Sequence, residues 1–329
     1  MTYPILMHHL HNGSVQSGQP RRDSHVRSRM RSMLQDRNFV AIAMSCPALV
    51  YLALFLLFPL ILVIYNSFYH YDLIDPGSRQ FDGLDNYVRA IGSHRFWMAV
   101  GNSLLFTAVV VCVEFVLGFA VALFIDRLKR GREIVRTILL LPLMIAPIIA
   151  AVAWRYIYSS EFGILNWALY QIGLIDSPSA LPWLSSPAFA LPAAMIVDIW
   201  LTTPFIVLIL LAGLQALPKS LSDAAKIDGT SLVREIFLIK LPLLRPVIAV
   251  ALVMRLIDAA RTFDAIWILT GGGPRFSSEV LSTQIYRTLA RYADVGFSSA
   301  IAVLFTVGLM ILALCVYLIL RPSDAGGRA

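Results

Sequence analysis

Six long runs of apolar residues constrain this chain more than any other feature of its sequence. Each run has between 22 and 30 residues, and a helix of roughly 20 apolar residues is enough to cross the hydrocarbon core of a bilayer. Only 14% of all residues are charged, whereas a soluble domain has about a quarter. We therefore predict an all-α polytopic membrane protein whose six transmembrane helices cover residues 39–68, 101–125, 137–158, 188–214, 247–269 and 297–320.

The basic residues are distributed unevenly over the segments between these runs. With the N-terminus in the cytoplasm, 18 of the 27 Lys and Arg residues fall in cytoplasmic segments, six in outer loops and three inside spans. Basic residues are retained on the cytoplasmic side during membrane insertion, so both termini are predicted to be cytoplasmic. We attribute the net charge of +7 to this topology and to anionic lipid, and not to nucleic acid.

Composition divides the chain into a tail, a membrane domain and a second, shorter tail. Residues 1–38 are polar and basic and are predicted to be a mostly disordered cytoplasmic tail. Residues 39–320 form the six-helix domain, and residues 321–329 form a cytoplasmic C-terminal tail. Cys46, Cys112 and Cys315 all lie in apolar runs, which predicts small buried side chains and neither a disulfide framework nor a metal site.

The cytoplasmic segment 214–246 has more structure than a simple connection needs. Residues 221–227 have a helical pattern, with Ser222 as the predicted N-cap. Gly229 should end this helix in a left-handed conformation, and a second helix is predicted over residues 231–240. Two short helices hinged at a glycine would form a rigid protrusion to which a partner protein could bind. An amphipathic connector on the membrane surface is the alternative, but it would leave the glycine break unexplained.

This segment resembles the cytoplasmic loop with the Glu-Ala-Ala motif of ABC importer permeases. The motif positions are occupied by Asp223, Ala224, Ala225, Asp228 and Gly229. The residue at position 223 is Asp where Glu is usual. Aspartate keeps the carboxylate but has a shorter side chain. Four further fragments occur in the expected order, namely FGILN at 162–166, WLTTPF at 200–205, LAGLQALP at 211–218 and FDAIWILTGGGP at 263–274. Together they are similar to the carbohydrate-uptake branch, including permeases for maltose, trehalose and glycerol phosphate, over residues 39–320.

The resemblance implies a type I importer built from several chains in the inner membrane of a bacterium or archaeon. The implied partners are a second permease, usually a different but related chain, a dimer of cytoplasmic ATPase subunits, and an extracytoplasmic solute-binding protein. The loop would dock in a cleft of an ATPase subunit, whose closure would switch the permease between inward- and outward-facing states. The implied solute is a sugar such as a disaccharide, and a non-sugar polar solute such as glycerol phosphate is the alternative.

ATP binding is assigned to the partner, because the chain has no Gly-x-x-x-x-Gly-Lys-Ser/Thr phosphate loop. The chain itself is predicted to be a transport subunit, not an enzyme, with no cofactor and no metal. An ion-driven secondary transporter is a rival that would need no ATPase-docking loop. A membrane enzyme is a second rival, for which the sequence offers no convincing nucleophile and base.

Charged residues inside the spans are the other candidates for function, because they are costly in a membrane and usually face a cavity or a partner. We list Asp198, Trp200, Arg255, Asp258 and Arg261 as candidates for the translocation path, and we favour a structural role for Glu114. Opposite charges alternate at steps of three from 255 to 264, so neighbours can pair along one helix. Such steps drift around a continuous helix, which should prevent all four side chains from lining one channel. Whether Arg255 or Asp258 touches the path or only pairs structurally stays open.

Overall fold

The structure is a computed structural model that describes residues 37–320 of the chain. The described residues are mostly helical, as predicted, and their strands are limited to one short antiparallel pair. The predicted tails fall outside the described residues, except for positions 37 and 38, which begin the first helix. Residues 37–61 and residues 62–320 belong to two compact units.

The elements of the described residues are numbered in chain order. The helices are α1 (Arg37–Leu52), α2 (Phe58–Asn66), α3 (Asp85–Ile91), α4 (His94–Arg127), α5 (Arg132–Leu140), α6 (Pro147–Ile157), α7 (Ile164–Gln171), α8 (Ala190–Ala216), α9 (Lys219–Ile227), α10 (Leu232–Glu235), α11 (Leu241–Leu243), α12 (Arg245–Ala260), α13 (Asp264–Thr270), α14 (Leu281–Tyr292) and α15 (Val295–Leu320). The strands are β1 (Tyr69–His70) and β2 (Gln80–Phe81). Two π-helical turns lie at Ala53–Leu57 and Ile236–Lys240, and two 3-10 turns lie at Pro76–Ser78 and Pro142–Met144.

Four of the predicted spans are continuous helical segments, the first of which includes the π-helical turn Ala53–Leu57. They cover Met44–Asn66, His94–Arg127, Ala190–Ala216 and Val295–Leu318, which correspond to the first, second, fourth and sixth predicted spans. The third predicted span is a helix pair, Arg132–Met144 and Pro147–Ile157, that is bent by 93°. The fifth predicted span lies in Arg245–Thr270, which is bent by 72° relative to the preceding segment Leu232–Leu243. The prediction of six spans is therefore confirmed when each bent pair is counted as one span.

Proline accounts for the bend in the third span. Pro142 begins the 3-10 turn and Pro147 begins α6, with Ile145 and Ala146 in extended conformation between them. Proline has no backbone N–H to donate, so a helix is easily interrupted where two prolines lie close together. The fifth span differs from its prediction as a single helix, because α12 ends at Ala260 and α13 starts again at Asp264.

The core of the second unit lies between α4 and α8. Gly118 on α4 allows the close approach, because a Cβ at this position would lie 2.6 Å from a methyl group of the buried Ile206 on α8. The prediction of buried cysteines is wrong for the isolated chain, in which all three cysteines are exposed on helix surfaces. Apolar side chains of a membrane protein can face lipid, so an apolar run does not imply burial inside the protein.

Candidate functional site

Arg255 is the largest fully buried side chain of the described residues and lies where three helices meet. Its Nε lies 2.5 Å from Glu114 Oε2 and its Nη2 lies 2.9 Å from Glu114 Oε1, so α4 provides a bidentate partner. Asp198 and Thr202 on α8 both accept hydrogen bonds from Nη2, the latter at 3.0 Å. The cluster therefore ties α12 to both α4 and α8.

The composition of this cluster follows from the cost of placing a charge inside a span. A guanidinium has five N–H donors in a fixed fork, which matches the two oxygens of a carboxylate. An unpaired charge in the membrane is expensive, and Glu114 and Asp198 are both buried around the guanidinium. Glu114 thus pairs with Arg255 from α4. This position agrees with the structural role that the sequence favours for Glu114.

A cleft of about 370 Å³ opens beside this cluster. Asp198, Asp258 and Arg261 line it, as does Asp264 at the start of α13. The side chains of Asp258 and Arg261 are 62% and 61% exposed, so both can reach a solute. The remaining lining residues are Pro147, Val197, Leu201, Thr202, Thr262, Phe263 and Ala265.

Asp258 joins the buried cluster to the open cleft. One carboxylate oxygen accepts a hydrogen bond from Arg255 Nη1 at 3.0 Å, and the other lies 3.9 Å from Arg261 Nη2. The expected pairing at steps of three is thus confirmed for these residues. Asp258 therefore contacts the buried cluster and also lines the cleft.

The expectation that the four alternating charges cannot all line one channel holds for this cleft, which three of them line without Arg255. It assumed one continuous helix, whereas the chain leaves the helix between Ala260 and Asp264. This break brings Asp264 round to the cleft that Asp258 and Arg261 also line. Arg255 follows the original expectation, because it lies behind the cleft wall.

Trp200 lies outside the lining of this cleft. Its ring packs edge-on against Trp154 with 5.7 Å between the ring centroids, and the residue is 38% exposed. Of the five candidates for the path, Asp198, Asp258 and Arg261 are therefore brought together. Arg255 contacts two of these three from behind.

The segment between α8 and α12 forms the predicted pair of short helices. Gly229 ends α9 with a left-handed φ of 66°, which confirms the prediction for this residue. Its N–H donates to the carbonyl of Lys226 at 3.1 Å, and the N–H of Thr230 donates to the carbonyl of Ala225 at 2.9 Å. This is the Schellman arrangement, in which a glycine at the left-handed position satisfies the last carbonyls of a helix.

Ser222 differs from its prediction as the N-cap of α9. The helix begins earlier, at Lys219 after Pro218, so Ser222 lies in its second turn. Its hydroxyl donates to Glu235 Oε1 on α10 at 2.7 Å. Glu235 is a residue that our sequence analysis missed. Glu235 could have been recognised in the sequence, because it is the one carboxylate residue in the largely apolar segment 231–240.

Asp223 stands on the outside of α9. Its carboxylate lies 2.9 Å from the ammonium group of Lys226, and both side chains are about two-thirds exposed. The hydrogen bond from Lys226 lowers the pKa of Asp223 below its ordinary value. Asp223 is therefore a charged group that a partner chain can reach.

Residues 114–323 match the family described as the binding-protein-dependent transport system inner membrane component. The chain belongs to this family. The match covers more than half of the sequence and includes the whole of the Arg255 cluster, the cleft and the α9–α10 segment. As a family member with several apolar helices, the chain is a multi-pass membrane permease subunit.

Several relatives of this permease are similar over most of their length. The trehalose/maltose transport system permease protein MalF of Thermococcus litoralis is 38% identical over 79% of this chain and 86% of its own. The sulfoquinovosyl glycerol transport system permease protein SmoG of Agrobacterium fabrum is 33% identical over 88% and 93%. The trehalose transport system permease protein SugA of Mycobacterium tuberculosis is 33% identical over 92% and 95%.

Solved structures share the fold of this permease. A chain of a bacterial ABC transporter that imports the acidic polysaccharide alginate superposes with a TM-score of 0.77 at 26% identity, covering 90% of this chain and 99% of that one. A second structure of a bacterial alginate transporter, in complex with a periplasmic protein that holds an alginate pentasaccharide, gives a TM-score of 0.76. The all-α fold predicted from the sequence, that of a type I ABC importer permease, is thereby confirmed.

Proposed function

We propose that this permease forms part of the translocation pathway of an ATP-driven importer and that its solute is a sugar. The observation that carries the proposal is the cleft beside the Arg255 cluster. Its wall combines carboxylate acceptors, the guanidinium of Arg261 and the hydroxyl group of Thr262. A polyhydroxylated solute presents both donors and acceptors, so it can bond to each of these groups. The relatives that carry trehalose, maltose and sulfoquinovosyl glycerol in their names support the same solute class.

The charges around the cleft favour a neutral sugar over a phosphate-bearing solute. Asp198, Asp258 and Asp264 line the cleft together with Arg261, so carboxylates outnumber guanidinium groups in its wall. The second guanidinium, Arg255, is already paired with Glu114 and Asp198. A glycerol phosphate would meet more repulsion than attraction at such a wall. It remains the second candidate among the solutes.

The proposed assembly contains a second permease, a dimer of ATPase subunits and an extracytoplasmic solute-binding protein. The related alginate transporter solved together with a periplasmic protein supports the last of these partners. The loop of α9 and α10 is the proposed contact with an ATPase subunit, through the motif residues Asp223, Ala224, Ala225, Asp228 and Gly229. ATP and its hydrolysis belong to those subunits, and this chain needs no cofactor of its own.

Replacing Asp258 with alanine tests the role of the cleft. Hydrogen bonds to charged groups contribute about 1.5–3 kcal/mol, so we expect the rate of solute uptake to fall about tenfold or more. Asp258 is largely exposed and Arg255 keeps its two buried partners, so the protein should accumulate normally. The measurement is uptake of labelled sugar per amount of permease in the membrane.

Asp176→Ala is the matched control for this experiment, because Asp176 is an exposed aspartate in the loop between α7 and α8. It should transport like the unmodified protein. Normal uptake by Asp258→Ala would remove the cleft from the translocation path.

We also propose that both termini of the permease are cytoplasmic, on the evidence of its basic residues. In a cysteine-free background, single cysteines at Ser160 or Pro178 should react with an impermeant thiol reagent added outside. A cysteine at Ser231, in the loop of α9 and α10, should react only after the membrane is opened. Labelling of the cysteine at position 231 from outside would reverse the orientation.

A further inference from the structure

A π-helical turn follows α10 directly and covers Ile236–Lys240. Its hydrogen bonds run from residue i to residue i+5, so residues five positions apart come to lie near one face. In a regular α-helix of 3.6 residues per turn, the fifth residue would point about 140° away. The turn brings the Lys240 ammonium to 3.1 Å from Glu235 Oε1. Such turns are rare and are found often at functional sites.

The same carboxylate oxygen also accepts the hydrogen bond from Ser222 on α9. Glu235 thus holds one side chain from the helix before Gly229 and one from the turn after α10. We call these three residues, Ser222, Glu235 and Lys240, the loop lock.

The two charged side chains of the loop lock are little exposed, although apolar side chains beside them are exposed. The side chains of Glu235 and Lys240 are 6% and 12% exposed, whereas the apolar neighbours Val233 and Leu238 are 64% and 67% exposed. An ordinary surface segment has the opposite arrangement, with its apolar side chains inward. Burial alone would raise the pKa of the Glu235 carboxyl, but the hydrogen bonds from Ser222 and Lys240 hold it below its ordinary value. Glu235 is therefore a charged group inside the loop.

One face of α9 borders a polar cleft. The cleft has a volume of about 500 Å³, and its lining includes Lys219, Ser222 and Lys226 of α9 together with Asp126, Arg132 and Lys240. Ala225 is the buried residue of α9. The main chain between α9 and α10 passes through Gly229, where an added Cβ would meet nothing within 4 Å.

We propose that Glu235 is a positioning residue that fixes the angle between α9 and α10, so that the two helices move together as one rigid body. This inference rests on the proposed function, in which the loop docks on an ATPase subunit. A displacement of α9 would be transmitted through the contacts of Glu235 with Ser222 and Lys240. From Lys240 it would be transmitted through α11 to α12. Helix α12 carries Arg255 and Asp258, so the displacement would reach the solute cleft.

The experiment measures solute imported per ATP hydrolysed in the complete importer, assembled with Glu235→Ala. The expected result is a fall of about tenfold in this ratio, equivalent to about 1.4 kcal/mol of lost coupling, with the ATPase still co-purifying. Glu235→Gln keeps the acceptor for Ser222 and loses the ion pair, so it should fall less. Glu235→Gln also serves as the test variant if the alanine variant does not accumulate.

Exchanging the two charges separates positioning from a general loss of structure. In the double variant Glu235→Lys with Lys240→Glu, an ammonium donates to the Ser222 hydroxyl and pairs with the new carboxylate. This variant should regain most of the lost ratio. Glu133→Ala is the control, because it removes an exposed carboxylate from the nearby helix α5, and its ratio should not change.

The loop lock is refuted by an unchanged ratio in Glu235→Ala, or by a fallen ratio that the charge exchange does not recover. Gly229→Val distinguishes this failure from failure of the proposed function. If Gly229→Val loses uptake while Glu235→Ala keeps its ratio, the loop docks on the ATPase without needing Glu235. If both variants transport normally, the loop is not the site of coupling at all.

Discussion

Replacing Gly229 with valine should remove most solute uptake while the protein still accumulates in the membrane. Gly229 has a left-handed φ of 66°, a conformation that costs a residue with a side chain about 1–2 kcal/mol. No neighbouring atom lies within 4 Å of an added Cβ, so the strain comes from the backbone and can be relieved only if the loop changes shape. The measurement is uptake of labelled solute together with co-purification of the ATPase.

Gly173→Val is a closely matched control for this variant. Gly173 ends α7 with a φ of 73°, also with nothing within 4 Å of an added Cβ, and in the same Schellman arrangement of hydrogen bonds. The two variants should therefore suffer similar local strain, but only Gly229 lies in the loop that we propose to dock on the ATPase. Asp223→Ala should reduce uptake more mildly, because it removes one charge and leaves the backbone path open. Normal uptake by Gly229→Val would exclude this loop as the coupling element.

Replacing Arg255 with alanine should have the largest effect on stability. The change leaves the buried carboxylates of Glu114 and Asp198 without their shared cation. Breaking a buried ion pair from one side costs about 3–5 kcal/mol, a large part of the stability of a typical domain. We expect a lower yield of folded permease and a lower midpoint of thermal unfolding in detergent, measured by size-exclusion fluorescence.

Removing all three charges shows whether the cost arises from unpaired carboxylates. A variant with Arg255→Met, Glu114→Gln and Asp198→Asn should be more stable than Arg255→Ala alone, because it leaves no uncompensated charge. Arg255→Ala as stable as the unmodified protein would contradict the structural role of the cluster. A triple variant no better than the single one would show that the loss arises from packing.

The sequence was sufficient to predict the helices and the glycine hinge because both depend on local properties. Apolar run length predicts a span directly, and a helix followed by Asp228 and Gly229 indicates a left-handed stop. Bends were harder to predict. Pro142 and Pro147 interrupt the third span, but the break between Ala260 and Asp264 has no proline in it. The position of that break decides which charges reach the cleft.

The clusters depend on contacts between distant parts of the chain, which periodicity does not report. Glu114 and Arg255 are separated by 141 positions, and only the packing of α4 against α12 shows that they meet. Glu235 and Lys240 are close in sequence, but their contact requires a π-helical turn. A regular helix would have separated them, so the α-helical rule of steps of three and four did not indicate the pair.

ATP dependence of transport tests the central claim most directly, because an ion-driven transporter is the main rival. The measurement is uptake of a labelled sugar, chosen as one that the binding protein retains, into liposomes that hold this permease, its second permease and the ATPase dimer. We predict uptake that requires ATP on the ATPase side and the loaded binding protein on the other side, and that persists when all ion gradients are dissipated. Uptake that proceeds without ATP and stops when an ion gradient is dissipated would contradict the account.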